Sequence, residues 1–190
     1  MSINIITVIG FIGLLLFIIY DLFRKKLKNL LKRTILFSFI FYFIVVATVT
    51  TGYIHIPPLE RGVLNIQLFP FYFIWDLTGY GPNSWFFWNA VKLSFFNLIM
   101  LFPLGVYLPF IFNMRSIKKA TLIVFFTSLL IETCQLVLVY FGFLSGRTFN
   151  VDDLLLNTLG GILGFICSKK IAELILGKKS KTKHISSFPQ

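Results

Sequence analysis

The sequence is poor in charge, and poorest in acid. Of its 190 residues only 13% are charged, seven are Asp or Glu and two are His. A water-soluble enzyme needs a charged exterior, which this chain cannot supply. Disorder is excluded from the other side, because 57% of the residues are hydrophobic and mean hydropathy is +0.85. A soluble globule of this length has too little interior for so much Phe, Ile and Leu. Cysteine is also scarce. Cys134 and Cys167 fall at different depths of two apolar runs, so they cannot meet the ~5.5 Å Cα separation of a disulfide. They read as small core residues. His55 lies in a loop and His184 near the C-terminus. No Ser–His or Cys–His pairing, zinc ligand set or phosphate loop ending in Lys is visible. Familiar nucleophilic catalysis is therefore set aside, and no metal or cofactor is expected.

What is present is apolar sequence bounded by basic clusters. Lys and Arg number 18, for a net charge of +11. Fifteen of the 18 fall in three groups: Arg24, Lys25, Lys26, Lys28, Lys32 and Arg33; Arg115, Lys118 and Lys119; Lys169, Lys170, Lys178, Lys179, Lys181 and Lys183. Each group abuts a long apolar run, the pattern of cytoplasmic loops that also meet anionic headgroups. Nucleic-acid binding, which needs basic residues on an exposed folded face, is not expected.

Four segments predict spanning helices, Ile3–Tyr20, Ile35–Tyr53, Trp88–Phe112 and Ala120–Phe141, and a weaker fifth covers Leu154–Ile175. Each approaches the ~20 residues that a bilayer core requires. Placing the three basic groups in the cytoplasm gives an all-α, five-helix membrane protein with its N-terminus outside and its C-terminus inside. Only Arg61, Lys92 and Arg147 are then left on the outer side or in the membrane. Ile3–Tyr20 has no basic residues before it and a stop-transfer flank, Asp21-Leu-Phe-Arg-Lys-Lys, after it. It reads as a retained helix, not a signal peptide. The expected organisation is an N-terminal helix and basic loop over 1–32, a membrane domain over 33–176 and a mobile basic tail over 177–190.

The outer connection Ile54–Phe87 is unlike a polar loop. Leu68-Phe-Pro-Phe-Tyr-Phe-Ile-Trp-Asp-Leu77 is too short to cross the bilayer and too apolar to stay in water. An interfacial or re-entrant segment is expected. Trp75, Trp85 and Trp88 read first as an aromatic belt, and secondly as a stacking surface for a lipid-bearing ligand.

Glu132 is the most informative residue. It lies about 18 Å along its helix from the cytoplasmic start, past the middle of a ~30 Å core. A carboxylate there is costly unless paired or hydrated, and such residues usually mark function. Ser128 and Gln135 flank it by one turn. Arg147, Asp152 and Asp153 lie in and after the short outer connection, and Asp153, Asn157 and Gly161 recur every four residues, with Gly160 and Gly164 adjoining. Capping explains one aspartate at a helix start, not the whole group. Glycines on that face allow close helix approach. Asn97 precedes Pro103 and Gly105, and the proline predicts a kink that frees the Ile99 carbonyl. Asn97, Glu132, Gln135, Arg147, Asp152, Asp153 and Asn157 together predict a hydrated, outward-facing pocket walled by the last three helices.

These residues also carry a resemblance. Asn65-Ile-Gln-Leu-Phe-Pro70-Phe71, Asn97-Leu-Ile-Met-Leu-Phe-Pro103-Leu-Gly105, Glu132-Thr-Cys-Gln135 and Arg147-Thr-Phe-Asn-Val-Asp152-Asp153-Leu-Leu-Leu-Asn157-Thr-Leu-Gly160-Gly161 follow one another in order. Over about residues 33–170 the chain resembles the VanZ-like family. The resemblance implies a four-helix core beginning at the second helix, the bacterial cytoplasmic membrane, and low-level resistance to teicoplanin. It implies the seven polar residues named above as the family's signature, without assigning their chemistry. Three readings stay open. The first is binding of a lipoglycopeptide's lipidated end, or restriction of its access to lipid-linked wall precursor, with membrane lipids as the standing partners. In the second, Glu132, Asp152 and Asp153 do acid–base or metal-assisted chemistry or transport on a lipid-linked envelope substrate. The third is interhelical glue.

Overall fold

A computed structural model describes residues 5–24, 30–60 and 63–185, with side chains over 7–24, 30–60 and 63–171. The helices are α1 (Ile5–Phe23), α2 (Leu30–Thr51), α3 (Tyr72–Gly79), α4 (Trp85–Met100), α5 (Phe102–Phe112), α6 (Ile117–Tyr140) and α7 (Val151–Ile185). Two short strands, β1 (Asn65–Gln67) and β2 (Thr148–Asn150), pair in parallel.

Four helical stretches are long and apolar enough to cross a membrane: Leu30–Thr51, Trp85–Phe112, Ile117–Tyr140 and Val151–Ile171. The expected N-terminal helix forms as α1, but its described apolar part, Thr7–Phe23, is shorter than these. The chain is thus a mostly helical, multi-pass membrane protein with four clear spans. Its surface fits that medium. On α6, Leu122, Phe126 and Leu130 are all more than half exposed and follow at intervals of four, a stripe suited to lipid. The opposite stripe, Val124, Ser128 and Glu132, is buried.

The expected single kinked helix over Trp88–Phe112 is a break instead. α4 ends at Met100, and Pro103 sits in the first turn of α5, where its missing N–H costs little. The carbonyls at the break find partners: that of Ile99 accepts the Leu101 N–H, and that of Met100 accepts the Tyr42 hydroxyl at 2.8 Å.

α7 is the centre of the bundle, packing on α4, α5 and α6. Its glycines make this possible. A Cβ on Gly160 would meet the Leu98 carbonyl, and one on Gly164 would meet that of Phe102, so the expected close approach along this face is present. The core beside it is Leu101, Leu104, Leu108, Ala120, Val124 and Phe165. Cys134 and Cys167 are exposed rather than in the core. Each lies two residues from an inward-facing neighbour, Glu132 or Phe165, and two helical residues turn a side chain to the far face.

α1 packs against α2 through Phe11–Phe41 and Phe17–Phe37 ring pairs and a Thr7–Thr48 hydroxyl bond of 2.8 Å. Arg33 pairs with Asp21, itself 1% exposed, at 2.7 Å, so one basic residue of the first cluster also pins this hairpin. Lys25, Lys26, Lys28 and Arg61 lie outside the described residues, as do the side chains of Lys178, Lys179, Lys181 and Lys183. α7 runs past Gly177 to Ile185, and residues 186–190 of the expected tail lie outside the described residues.

Candidate functional site

The site is built from the two connections at one end of the bundle. Gly146 takes φ +68°, turning the chain into β2. β2 lies beside β1 in the register Asn65↔Thr148, Ile66↔Phe149 and Gln67↔Asn150, which brings two motifs far apart in sequence into contact. Asn150 then opens α7: its side-chain oxygen accepts the Asp152 N–H at 2.9 Å and its amide donates to Asp153 at 3.2 Å. The Asn150 backbone N–H donates to Glu132 Oε2 at 3.2 Å.

On the β1 side, Phe71 takes φ 65° and has no side-chain acceptor with which to cap α3. Asp152 supplies the cap from across the bundle. Its two oxygens accept the Phe71 N–H at 2.5 Å and the Phe73 N–H at 2.8 Å. A carboxylate at a helix N-terminus also meets the positive end of the helix dipole. The apolar segment 68–77, expected to be interfacial or re-entrant, is therefore tied by β1 and Asp152 to the rim of the bundle. Trp75, Trp85 and Trp88 are each at least 61% exposed.

These ties enclose a cavity of about 340 Å³. Asn97, Glu132, Gln135, Arg147, Asp152 and Asp153 all line it. Asn157 does not. It is fully buried one turn deeper on α7, where α6 packs on α7, and its amide donates to Ser128 at 3.0 Å. Sequence reasoning passed over Asn150 and Asp76, which also line the cavity. Asn150 could have been found from its place two residues before Asp152, the spacing of an Asx cap. Asp76, a lone carboxylate in an apolar segment, was legible as an exception but carried no partner.

Several of the polar groups are already committed. Gln135 donates to the Thr50 carbonyl at 2.7 Å, and Arg147 donates to that of Val49 at 3.1 Å. Asp152 has both oxygens engaged. Glu132 differs. It is 3% exposed, one oxygen holds Asn150, and the side chain faces the cavity. Among the described residues the one ion pair within 4.0 Å is Arg33–Asp21, so Arg147 does not close directly on Glu132 or Asp153, although all three share one electrostatic neighbourhood. Asn97 lies against Asp153.

Among the described residues no three His, Cys, Asp or Glu side chains are grouped so as to hold a metal ion. The sequence showed no Ser–His pairing, yet His55 Nε2 lies 3.2 Å from Ser145 Oγ. The two loops meet there, the His55 N–H also donating to the Phe143 carbonyl at 2.9 Å, so the pair reads as a tie between connections. Chemically the cavity is lined by four carboxylates, of which Glu132 and Asp152 are buried, with amides and one guanidinium: groups that bind a polar or cationic headgroup, or that exchange a proton.

No curated protein and no solved structure matches the chain. A family model described as VanZ/LLP1 matches residues 34–175, a span that takes in α2, the β pair, the cavity and most of α7. With four membrane-length helices and that match, the chain belongs to the VanZ/LLP1 family.

Proposed function

We propose that this is a bacterial cytoplasmic-membrane protein that confers or modulates resistance to teicoplanin-type lipoglycopeptides, through a polar cavity facing the outer surface. One observation carries the reading. Six polar residues drawn from α4, α6, the α6–α7 connection and α7 converge on one cavity beside an exposed aromatic apron. Burying a carboxylate costs several kcal/mol, and Glu132 has one oxygen bonded and faces the cavity, so a ligand that engages it is the simplest account. The basic groups support the orientation. In α2, α6 and α7 the cavity residues lie at one end and the described Lys and Arg at the other, with Val49 16 positions beyond Arg33, or ~24 Å. The positive-inside rule then turns the cavity outward.

The test is susceptibility of a sensitive Gram-positive host expressing the chain or its Glu132→Gln form. Teicoplanin protection is expected without vancomycin protection, since vancomycin has no acyl chain, and is expected to vanish in the variant at equal membrane level. Equal protection against both drugs would defeat the reading. A second reading rests on the unengaged edge of Glu132: acid–base chemistry or proton-coupled transport on a lipid-linked envelope substrate. It predicts that turnover of such a substrate, and not merely binding, is lost in Glu132→Gln.

A further inference from the structure

The polar cavity does not stand alone on its side of the bundle. Toward the basic end a second, apolar cavity of about 230 Å³ opens between α2, α5 and α6. The two lie on one seam. On α6 the walls are Ile123 and Thr127 below and Ile131 and Gln135 above, all at intervals of four and so on one face. α4 and α5 continue the row from Met100 through Leu104, Leu108 and Phe112, and α2 runs from Phe39 and Phe43 to Val49 and Thr50. From Gln135 to Ile123 the seam is about 18 Å long, more than half of a ~30 Å hydrocarbon core. α2 touches α6 only sparingly, so the seam opens sideways toward lipid.

The two cavities share no lining residue but stack along the same helix faces, so together they present a polar head end and an apolar tail end, the pattern of an amphiphile. The head end also sets a sign. Asp152 is used up on backbone N–H groups and Arg147 has one nitrogen on a carbonyl, while Glu132 and Asp153 face the cavity without an ion pair among the described residues. Glu132 is itself all but fully buried, with only one of its oxygens bonded. An ammonium would be drawn to these two carboxylates, and the phosphodiester that amine-bearing and amine-free lipids share to Arg147 on the same cavity wall. We infer that the α2–α6 seam binds a membrane lipid with an amine-bearing headgroup, the amine between Glu132 and Asp153 and one acyl chain along Phe43, Leu108 and Thr127. The inference rests on the cavity being a ligand site, and not on the drug.

The full-length chain in nanodiscs tests it, using phosphatidylethanolamine and phosphatidylglycerol probes with identical photoactivatable acyl chains and mapping of the labelled peptides. Seam labelling around Ile123 and Thr127 is expected to favour the amine probe by about tenfold, the scale of one charge-assisted hydrogen bond. Glu132→Gln is expected to reduce that preference while leaving adducts in place. Thr127→Trp fills the groove and is expected to cut seam labelling by about tenfold, with labelling of the lipid-facing Leu122, Phe126 and Leu130 stripe unchanged. Ile123→Trp narrows the same groove from its more exposed edge, and serves if Thr127→Trp does not accumulate. Equal labelling by the two probes, or seam labelling untouched by both tryptophans, overturns the inference. Amine-selective labelling in a chain that gives no teicoplanin protection removes the drug reading alone. Protection without selective labelling removes this inference alone.

Discussion

Asp152 and Glu132 are both buried carboxylates that accept backbone N–H groups, yet they do different work. Asp152 spends both oxygens on the start of α3, so its removal leaves two donors without an acceptor. Asp152→Ala is expected to lower stability by about 2–4 kcal/mol, read as an earlier melting transition in detergent, with Asp152→Asn intermediate. Glu132→Gln keeps an acceptor for Asn150 and nearly the same shape, so melting and membrane level are expected to hold while function is lost. Tyr42→Phe strips the Met100 carbonyl of its partner at the helix break and is expected to cost about 1 kcal/mol. At this scale the sequence was informative where a residue broke a rule. A carboxylate or amide inside an apolar run is visible without a structure, which is why Asn97, Glu132, Gln135, Arg147, Asp152 and Asp153 were nameable. What each one holds was not visible. Asp152 reads as a pocket residue at the start of its own helix, and its two oxygens hold the start of α3. Asn157 read as a pocket wall and proves to be bonded to Ser128, because four-residue spacing fixes a face but not whether that face is open.

Among the elements, the long helices were legible from composition and the rest was not. Twenty apolar residues between charges have few alternatives in a bilayer. Strands of three residues have no room for a period, so β1 and β2 left no pattern to read, and their pairing depends on contacts more than 80 residues apart. Pro103 signalled a disturbance correctly, but whether a proline kinks a helix or starts a new one depends on who satisfies the freed carbonyls. The glycines of α7 supply the sharpest prediction. Gly160→Ala and Gly164→Ala each push a Cβ into a backbone carbonyl of the α4–α5 region, which side-chain adjustment cannot relieve, and each is expected to destabilise by about 1–3 kcal/mol. Gly13→Ala in α1 meets nothing within 4 Å and is expected to be neutral or to gain up to about 1 kcal/mol from helix propensity. Thermal melts of the three purified variants check the contrast.

For the whole molecule, the arrangement separates two kinds of chemistry by distance. One end gathers carboxylates, amides and tryptophans; the other gathers Lys and Arg, with a lipid-facing apolar belt between. The orientation proposed from that division predicts sidedness. In a Cys134→Ala/Cys167→Ala background, Tyr80→Cys is expected to react with an impermeant thiol reagent added outside intact cells. Lys118→Cys is expected to react only after the membrane is opened; the reverse pattern would turn the cavity inward. The measurement that bears most directly on the cavity as a binding site is titration of the full-length protein in nanodiscs with teicoplanin and with vancomycin, for the wild type and Glu132→Gln. Saturable binding of teicoplanin, with vancomycin at least about tenfold weaker and the variant weakened by a similar factor, is the predicted result. Equal binding of teicoplanin by wild type and variant, or no binding beyond that of empty nanodiscs, would contradict the account.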